Sequence, residues 1–353
     1  IDITTGNEKF SGPTLISANV TTSGGTVSFN GQTQLSRPGL LWLNGIVYIA
    51  YASHCDIGPY HGWLFAYDAS NLSQKAAFLS TPELNSNGGL AGFWMSGAGV
   101  AADSNANIFI TTGNGDFDTT NIPAKLLGDS VLKLFFNGAS IALGDYFTPY
   151  NQGTLDGGDF DLGSGGVLLL PDQSGATPHE LVQVGKQGSI YLINRDQFTL
   201  NNLHYCPSGC NKTDAQIAQE IQGQIGGLWS MPAYWNGAVY FQGAGDFLKS
   251  FPVTNGVLAG TSVAASASSI GYPGATPSIS SSGNSNGIVW EIDPGGSAVL
   301  EAFDPANGLA TLYNGSTQGA AAGGGVKFSV PTIANGKVYV GTQTQLDVYG
   351  TLP

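Results

Sequence analysis

The sequence predicts an all-β chain built from a repeated four-stranded antiparallel sheet, and three observations carry that expectation. First, a short segment of small residues and proline runs into an apolar strand seven times, at residues 10–16, 36–41, 95–100, 163–168, 229–234, 274–279 and 328–333. Second, a turn, usually Asn-Gly, precedes a β-branched and aromatic run, as in Asn44-Gly45-Ile46-Val47-Tyr48, Asn236-Gly237-Ala238-Val239-Tyr240 and Asn335-Gly336-Lys337-Val338-Tyr339. Asn-Gly tolerates the positive φ values that a two-residue hairpin needs, so each run folds back on the strand before it. Third, a further strand ends in an aspartate turn, as in Trp63-Leu64-Phe65-Ala66-Tyr67-Asp68 and Val299-Leu300-Glu301-Ala302-Phe303-Asp304. A unit recurring at tens of residues marks a repeat architecture, and radial repetition of such a meander makes a β-propeller.

Along the chain, residues 1–10 read as the end of one blade, and Leu346-Asp347-Val348-Tyr349-Gly350 as a third strand with no fourth after it. The N-terminal strand is therefore expected to complete the C-terminal blade, because closure removes a free sheet edge. The count is seven blades in one domain, residues 1–353, and the short interval from Pro13 to Pro38 leaves six or eight open. Residues 201–227 read as an insertion between blades. Within it, Cys206-Pro207-Ser208-Gly209-Cys210 is expected to close a small disulfide ring in an oxidising compartment. A helix-like stretch at 213–221 follows, with Thr213 as its cap. Trp42, Trp94, Trp229, Trp235 and Trp290 fall in or beside strands, where large residues fill the space between blades.

The Asn-Gly-Lys-Val-Tyr-Val-Gly pattern, an alternating strand and the Asp2-Ile3-Thr4-Thr5-Gly6 turn together resemble the repeats of pyrroloquinoline-quinone-type β-propellers over nearly all of the chain. The run Ser53-His54-Cys55-Asp56-Ile57-Gly58-Pro59-Tyr60-His61-Gly62-Trp63 further resembles secreted, quinoprotein-like propeller proteins of largely unassigned function. Enzymes of the quinoprotein family sandwich the quinone between a tryptophan and a ring made by two adjacent cysteines, with calcium and a catalytic aspartate alongside. No Cys-Cys pair exists here, so pyrroloquinoline quinone is disfavoured as a cofactor, although Trp229 and Trp235 are candidates for a stacking face.

Composition narrows the partners. A net charge of −13 with only 11 Lys plus Arg argues against nucleic acid, whose phosphates need a basic surface. With 10% of residues charged, solubility rests on hydroxyls and amides, as suits a secreted or cell-surface protein. No run approaches the ~18 apolar residues of a membrane span. Four sequons, at Asn19, Asn71, Asn211 and Asn314, fall in or near turns and are candidate glycan acceptors.

The chemistry concentrates in two places. Residues 54–63 hold two of the four histidines beside Asp56, Tyr60 and Trp63. His54, Tyr60 and His61 are the candidate acid and base groups for removing the proton next to a uronic acid carboxylate. Arg37, Lys186 or Arg195 would neutralise that carboxylate, with Asp56 and Trp63 as further binding residues. The competing reading has both histidines bonding backbone carbonyls and Trp63 packing between blades. Asp156, Asp159 and Asp161 place three carboxylates in six residues, a costly repulsion that Ca²⁺ would relieve. Asn114-Gly115-Asp116-Phe117-Asp118 begins like a calcium loop and lacks the rest, so it reads as turns.

The favoured function is a rigid extracellular binding or scaffolding module engaging glycans or other protomers in a cell-surface or filament-like assembly. The alternative is a lyase or hydrolase acting on acidic polysaccharide, which requires His54, Tyr60 and His61 to converge at a pocket mouth within reach of a cation. A quinone-dependent sugar or alcohol oxidoreductase stands third.

Overall fold

The structure, a computed structural model, describes residues 1–22, 25–82, 89–119 and 125–350. Among them are six antiparallel sheets of three or more strands, following one another along the chain. Their innermost strands are Leu41–Leu43, Ala101–Ala102, Leu168–Leu169, Ala233–Trp235, Ser278–Ser282 and Thr332–Ala334. Each is preceded by one of the small-residue and proline segments. The turns Asn44-Gly45, Asn236-Gly237 and Asn335-Gly336 all have positive φ at both residues and join the first strand of their sheet to the second, as expected.

The alternation of side chains along each second strand sets the packing, because successive residues of a strand face opposite sides. Ile108 and Ile110 pack toward the first sheet while Phe109 between them packs toward the third. Val239 and Phe241 face the third sheet and Tyr240 the fifth. Val338 and Val340 of the sixth sheet meet Ile292 and Leu300 of the fifth. The cores are therefore interfaces between neighbouring sheets, the arrangement of a β-propeller.

Four sequence expectations differ from what is observed. Residues 10–16 lead into a two-stranded hairpin, Asn19–Thr22 with Gly25–Ser28, in place of a full blade. Val27 of that hairpin covers Trp63, Phe65 and Tyr67 on the outer face of the first sheet. The N-terminal segment does not complete the last sheet: the Asp2 side chain accepts hydrogen bonds from the Thr4 N–H and hydroxyl and folds the segment into a turn. Among the described residues, Leu346–Gly350 pairs with Lys337–Gly341 alone. The stretch 213–221 is not helical either. Gln219–Ile221 is the outermost strand of the third sheet, so the insertion lies within a sheet and not between two. The Cys206–Cys210 disulfide is formed as expected.

Candidate functional site

The six segments that feed the inner strands converge on the axis, where they and two strand-connecting loops enclose a cavity of 280 Å³. Arg37 enters just before the inner strand Leu41–Leu43 of the first sheet, Trp94 before the second sheet, Asp161 and Ser164 before the third, and Trp229 before the fourth. Tyr272 precedes the fifth sheet, and Lys327 and Phe328 the sixth. Asp56 and Lys186 complete the lining from loops after the second strands of sheets one and three. The Gly39 N–H donates to the Ala98 carbonyl at 2.8 Å, which ties the first two entry segments side by side.

The Arg37 guanidinium lies 5.0 Å from the Trp94 ring and 4.9 Å from the Phe328 ring, joining the first, second and sixth sheets, and donates to the Ser96 hydroxyl at 3.2 Å. A cation between two aromatic faces is held by their quadrupoles and fixed in orientation. Burial lowers the Arg37 pKa from its ordinary value, and the charges of Asp56 and Asp161 oppose that shift. The Lys327 ammonium sits 4.5 Å from the Tyr272 ring, which meets Trp229 edge-on at 4.9 Å.

On the third side, Lys186 Nζ donates to Asp159 at 2.8 Å and to Asp161 at 2.7 Å, and Asp161 also accepts from the Asn114 N–H at 2.7 Å. Burial alone would lower the lysine pKa; the Asp161 charge and the bonds to both carboxylates outweigh it, so the pKa rises. Desolvation raises the Asp161 pKa, with Lys186 opposing.

The site collects Arg37, Asp56, Lys186, Asp159 and Asp161 from the residues singled out by sequence, Asp159 acting behind the lining. It leaves the others elsewhere. His61 is buried, with Nδ1 2.7 Å from the Thr81 carbonyl, and burial lowers its pKa. Tyr60 is buried and donates to Asp56 at 3.4 Å, while desolvation, then the Asp56 charge, drives its pKa far above the ordinary phenol value. His54 is exposed, its neighbour being the Cys55 thiol. These three do not converge, because the first two are absorbed in holding the loop.

Trp63 is wholly buried, stacked on Phe65 at 5.5 Å, which removes it from ligand contact. Arg195 is buried, donates to the Leu170 carbonyl at 3.2 Å and does not line the cavity. The three-aspartate metal set is likewise corrected: Asp156 accepts from the Gly115 N–H, and the other two are both engaged by the Lys186 ammonium. Among the described residues no group of three or more His, Cys, Asp or Glu side chains is arranged to hold a metal ion. Of the sequons, Asn19, Asn71 and Asn211 are exposed, whereas Asn314 is half-buried and donates to Glu301.

Sequence reasoning missed Trp94, Tyr272, Lys327 and Phe328, and it offered Trp229 only as a candidate stacking face for a quinone. A signal was present. In four of the six entry segments a bulky residue just ahead of the inner strand, Arg37, Trp94, Trp229 and Phe328, lines the cavity.

No family model matches the chain, and no curated protein does. Solved structures similar to it include the quinohemoprotein alcohol dehydrogenase from Comamonas testosteroni, at TM-score 0.53 and 14% identity over 84% of this chain and 54% of that one. Quinohemoprotein alcohol dehydrogenase ADHIIG from Pseudomonas putida HK5 is similar at TM-score 0.50 and 16% identity, over 85% of this chain and 54% of that one. The Swd1 β-propeller domain of Myceliophteria thermophila gives TM-score 0.50 and 8% identity, over 86% and 79%. The chain thus spans about half the length of the two dehydrogenases. The fold is a β-propeller.

Proposed function

We propose that the protein is a secreted binding module whose axial cavity takes a carboxylate-bearing ligand of saccharide size, such as a uronic acid residue of an acidic glycan. The observation that carries this reading is the concentration of cations. In a chain of net charge −13, three of the 11 basic side chains, Arg37, Lys186 and Lys327, line one 280 Å³ cavity. Lys186 is committed to Asp159 and Asp161, so Arg37 and Lys327 are the groups that meet the ligand carboxylate. Trp229 and Tyr272 offer apolar surface for the CH face of a sugar ring. Fixed cations in a partly desolvated cavity favour an anion more strongly than exposed ones do.

Secretion is supported by the Cys206–Cys210 disulfide, and among the described residues no helix is long and apolar enough to cross a membrane. A binding role is favoured over catalysis because Tyr60 and His61 are spent on internal hydrogen bonds. The lining does not fit pyrroloquinoline quinone as the quinoprotein family holds it. The disulfide is not part of the cavity, the Trp94 face is taken by Arg37, and Asp161 is engaged by an ammonium.

Calorimetric titration with oligogalacturonate and with a neutral oligosaccharide of equal length tests the reading. The acidic ligand is expected to bind and the neutral one not to bind at this site. Arg37→Ala and Lys327→Ala are each expected to weaken binding by about tenfold or more, the loss of one charge-assisted hydrogen bond. Equal affinities of the wild type and both variants would overturn it.

A further inference from the structure

A second cavity, of 750 Å³, lies between the fourth and fifth sheets. It is bordered by the turn Asn236-Gly237, by the turn joining Ser278–Ser282 to Ser285–Asp293, and by the turn after Val299–Asp304. These turns stand at the ends of the antiparallel strands opposite to those that frame the axial cavity, so the groove is a separate surface.

Its chemistry is also different. Trp235 closes the inner strand of the fourth sheet, and its indole N–H donates to the Gly283 carbonyl at 2.9 Å across the sheet boundary. Gly287 lies directly against the ring: a Cβ there would stand 2.5 Å from the nearest ring carbon. The hydrogen bond holds one edge of the indole, and the glycine provides a flat seat for the six-membered part. Around this fixed ring stand Asn236, Asn284, Ser285 and Asn286, all exposed, and Leu312, which is 50% exposed.

The lining has no basic side chain. Its one carboxylate, Asp304, caps its own turn by accepting from the Ala306 N–H. Asn-Gly turns recur in the first and sixth sheets, but there the preceding residues are Leu43 and Ala334. Among these three turns only that of the fourth sheet follows an indole, and inter-sheet filling does not explain its polar surround.

We propose that this groove binds a neutral saccharide chain, with a sugar ring stacked on Trp235 and its hydroxyls bonded to the surrounding amides. An aromatic platform satisfies the CH face of a pyranose, and amide groups both donate to and accept from hydroxyls. A groove with an acid and no base disfavours the anionic ligand proposed for the axis, so the two sites select opposite classes of glycan.

Native affinity electrophoresis in gels containing, in turn, a soluble β-glucan, a galactomannan and a dextran tests this, since the net charge of −13 carries the protein through each gel. At least one polymer is expected to retard the wild type. Trp235→Ala is expected to abolish the retardation, and Gly287→Ala to weaken it by about tenfold by pushing the ring from its seat. The exposed pair Asn284→Ala and Asn286→Ala should weaken it without touching a packed residue. Arg37→Ala should leave it unchanged, whatever its effect at the axis. Absence of retardation in all three gels would sink the proposal. So would full retardation of Trp235→Ala, or loss of retardation in Arg37→Ala.

Discussion

At Gly113 the axial site depends on the absence of an atom. A Cβ at that position would stand 2.2 Å from Asp161 Oδ1 and 2.7 Å from Trp94 Cδ1, so the backbone approaches both groups as closely as only glycine allows. Asp161 cannot yield freely, because Lys186 and the Asn114 N–H hold it from two sides. Gly113→Ala is therefore expected to destabilise the protein by about 1–3 kcal/mol, the usual cost of overpacking, and to weaken acidic ligands by displacing Trp94 from Arg37. A urea unfolding midpoint equal to wild type would contradict that. At this scale the sequence was legible where residue types were rare. With 11 basic residues in 353, Arg37 and Lys186 stood out. Trp94 and Phe328 did not, because aromatic residues are also what fills a propeller, and only the axial position of their segment tells the two uses apart.

Among the elements, residues 213–221 show how tertiary context overrides a local pattern. Thr213 and the apolar spacing of Ile217 and Ile221 suit a helix, yet the polar groups find better partners elsewhere. Asp214 accepts from the Tyr150 N–H and from Gln216, both at 2.9 Å, and Glu220 accepts from the Asp214 N–H. Ile217 joins the core between the second and third sheets, and Ile221 pairs with Ile190 as an edge strand. No spacing rule contains these long-range partners.

The same burial gives a pH signature. Desolvation, with the Glu220 charge adding to it, raises the Asp214 pKa from 3.8 to about 7, and its Oδ2 has no partner. Between those values the folded state holds a proton that the unfolded chain has released, so stability falls as pH rises through that window. Asp214→Asn is expected to leave stability near pH 4 unchanged and to raise it at pH 8 by on the order of a few kcal/mol. Urea midpoints of both proteins at the two pH values check this. Buried Glu291 and Asp129, shifted upward by desolvation, push in the same direction and should leave a residual slope.

For the whole molecule, the repeat was legible because Asn-Gly turns and entry segments recur, whereas closure was not, since it depends on contacts between distant ends of the chain. Stability is a chain of pairwise interfaces, and among the described residues the apolar core of the sixth sheet is shared with the fifth. That interface is incompletely filled: Leu300, Trp290, Tyr313 and Tyr349 border a 580 Å³ groove. The sixth sheet nevertheless follows directly on Lys327 and Phe328, two of the groups that frame the axial cavity. Local opening of that sheet must therefore dismantle the site before the remaining sheets unfold. Leu300 is fully buried, and Leu300→Ala should remove about 2–5 kcal/mol from this one interface. Hydrogen exchange in strands Lys337–Gly341 and Leu346–Gly350 is expected to accelerate while exchange in Asn107–Thr111 stays slow, and acidic ligands should both lose affinity and, at saturation, restore protection. Uniform acceleration across all sheets would mean that the propeller unfolds as one unit and that the ligand does not bridge its ends.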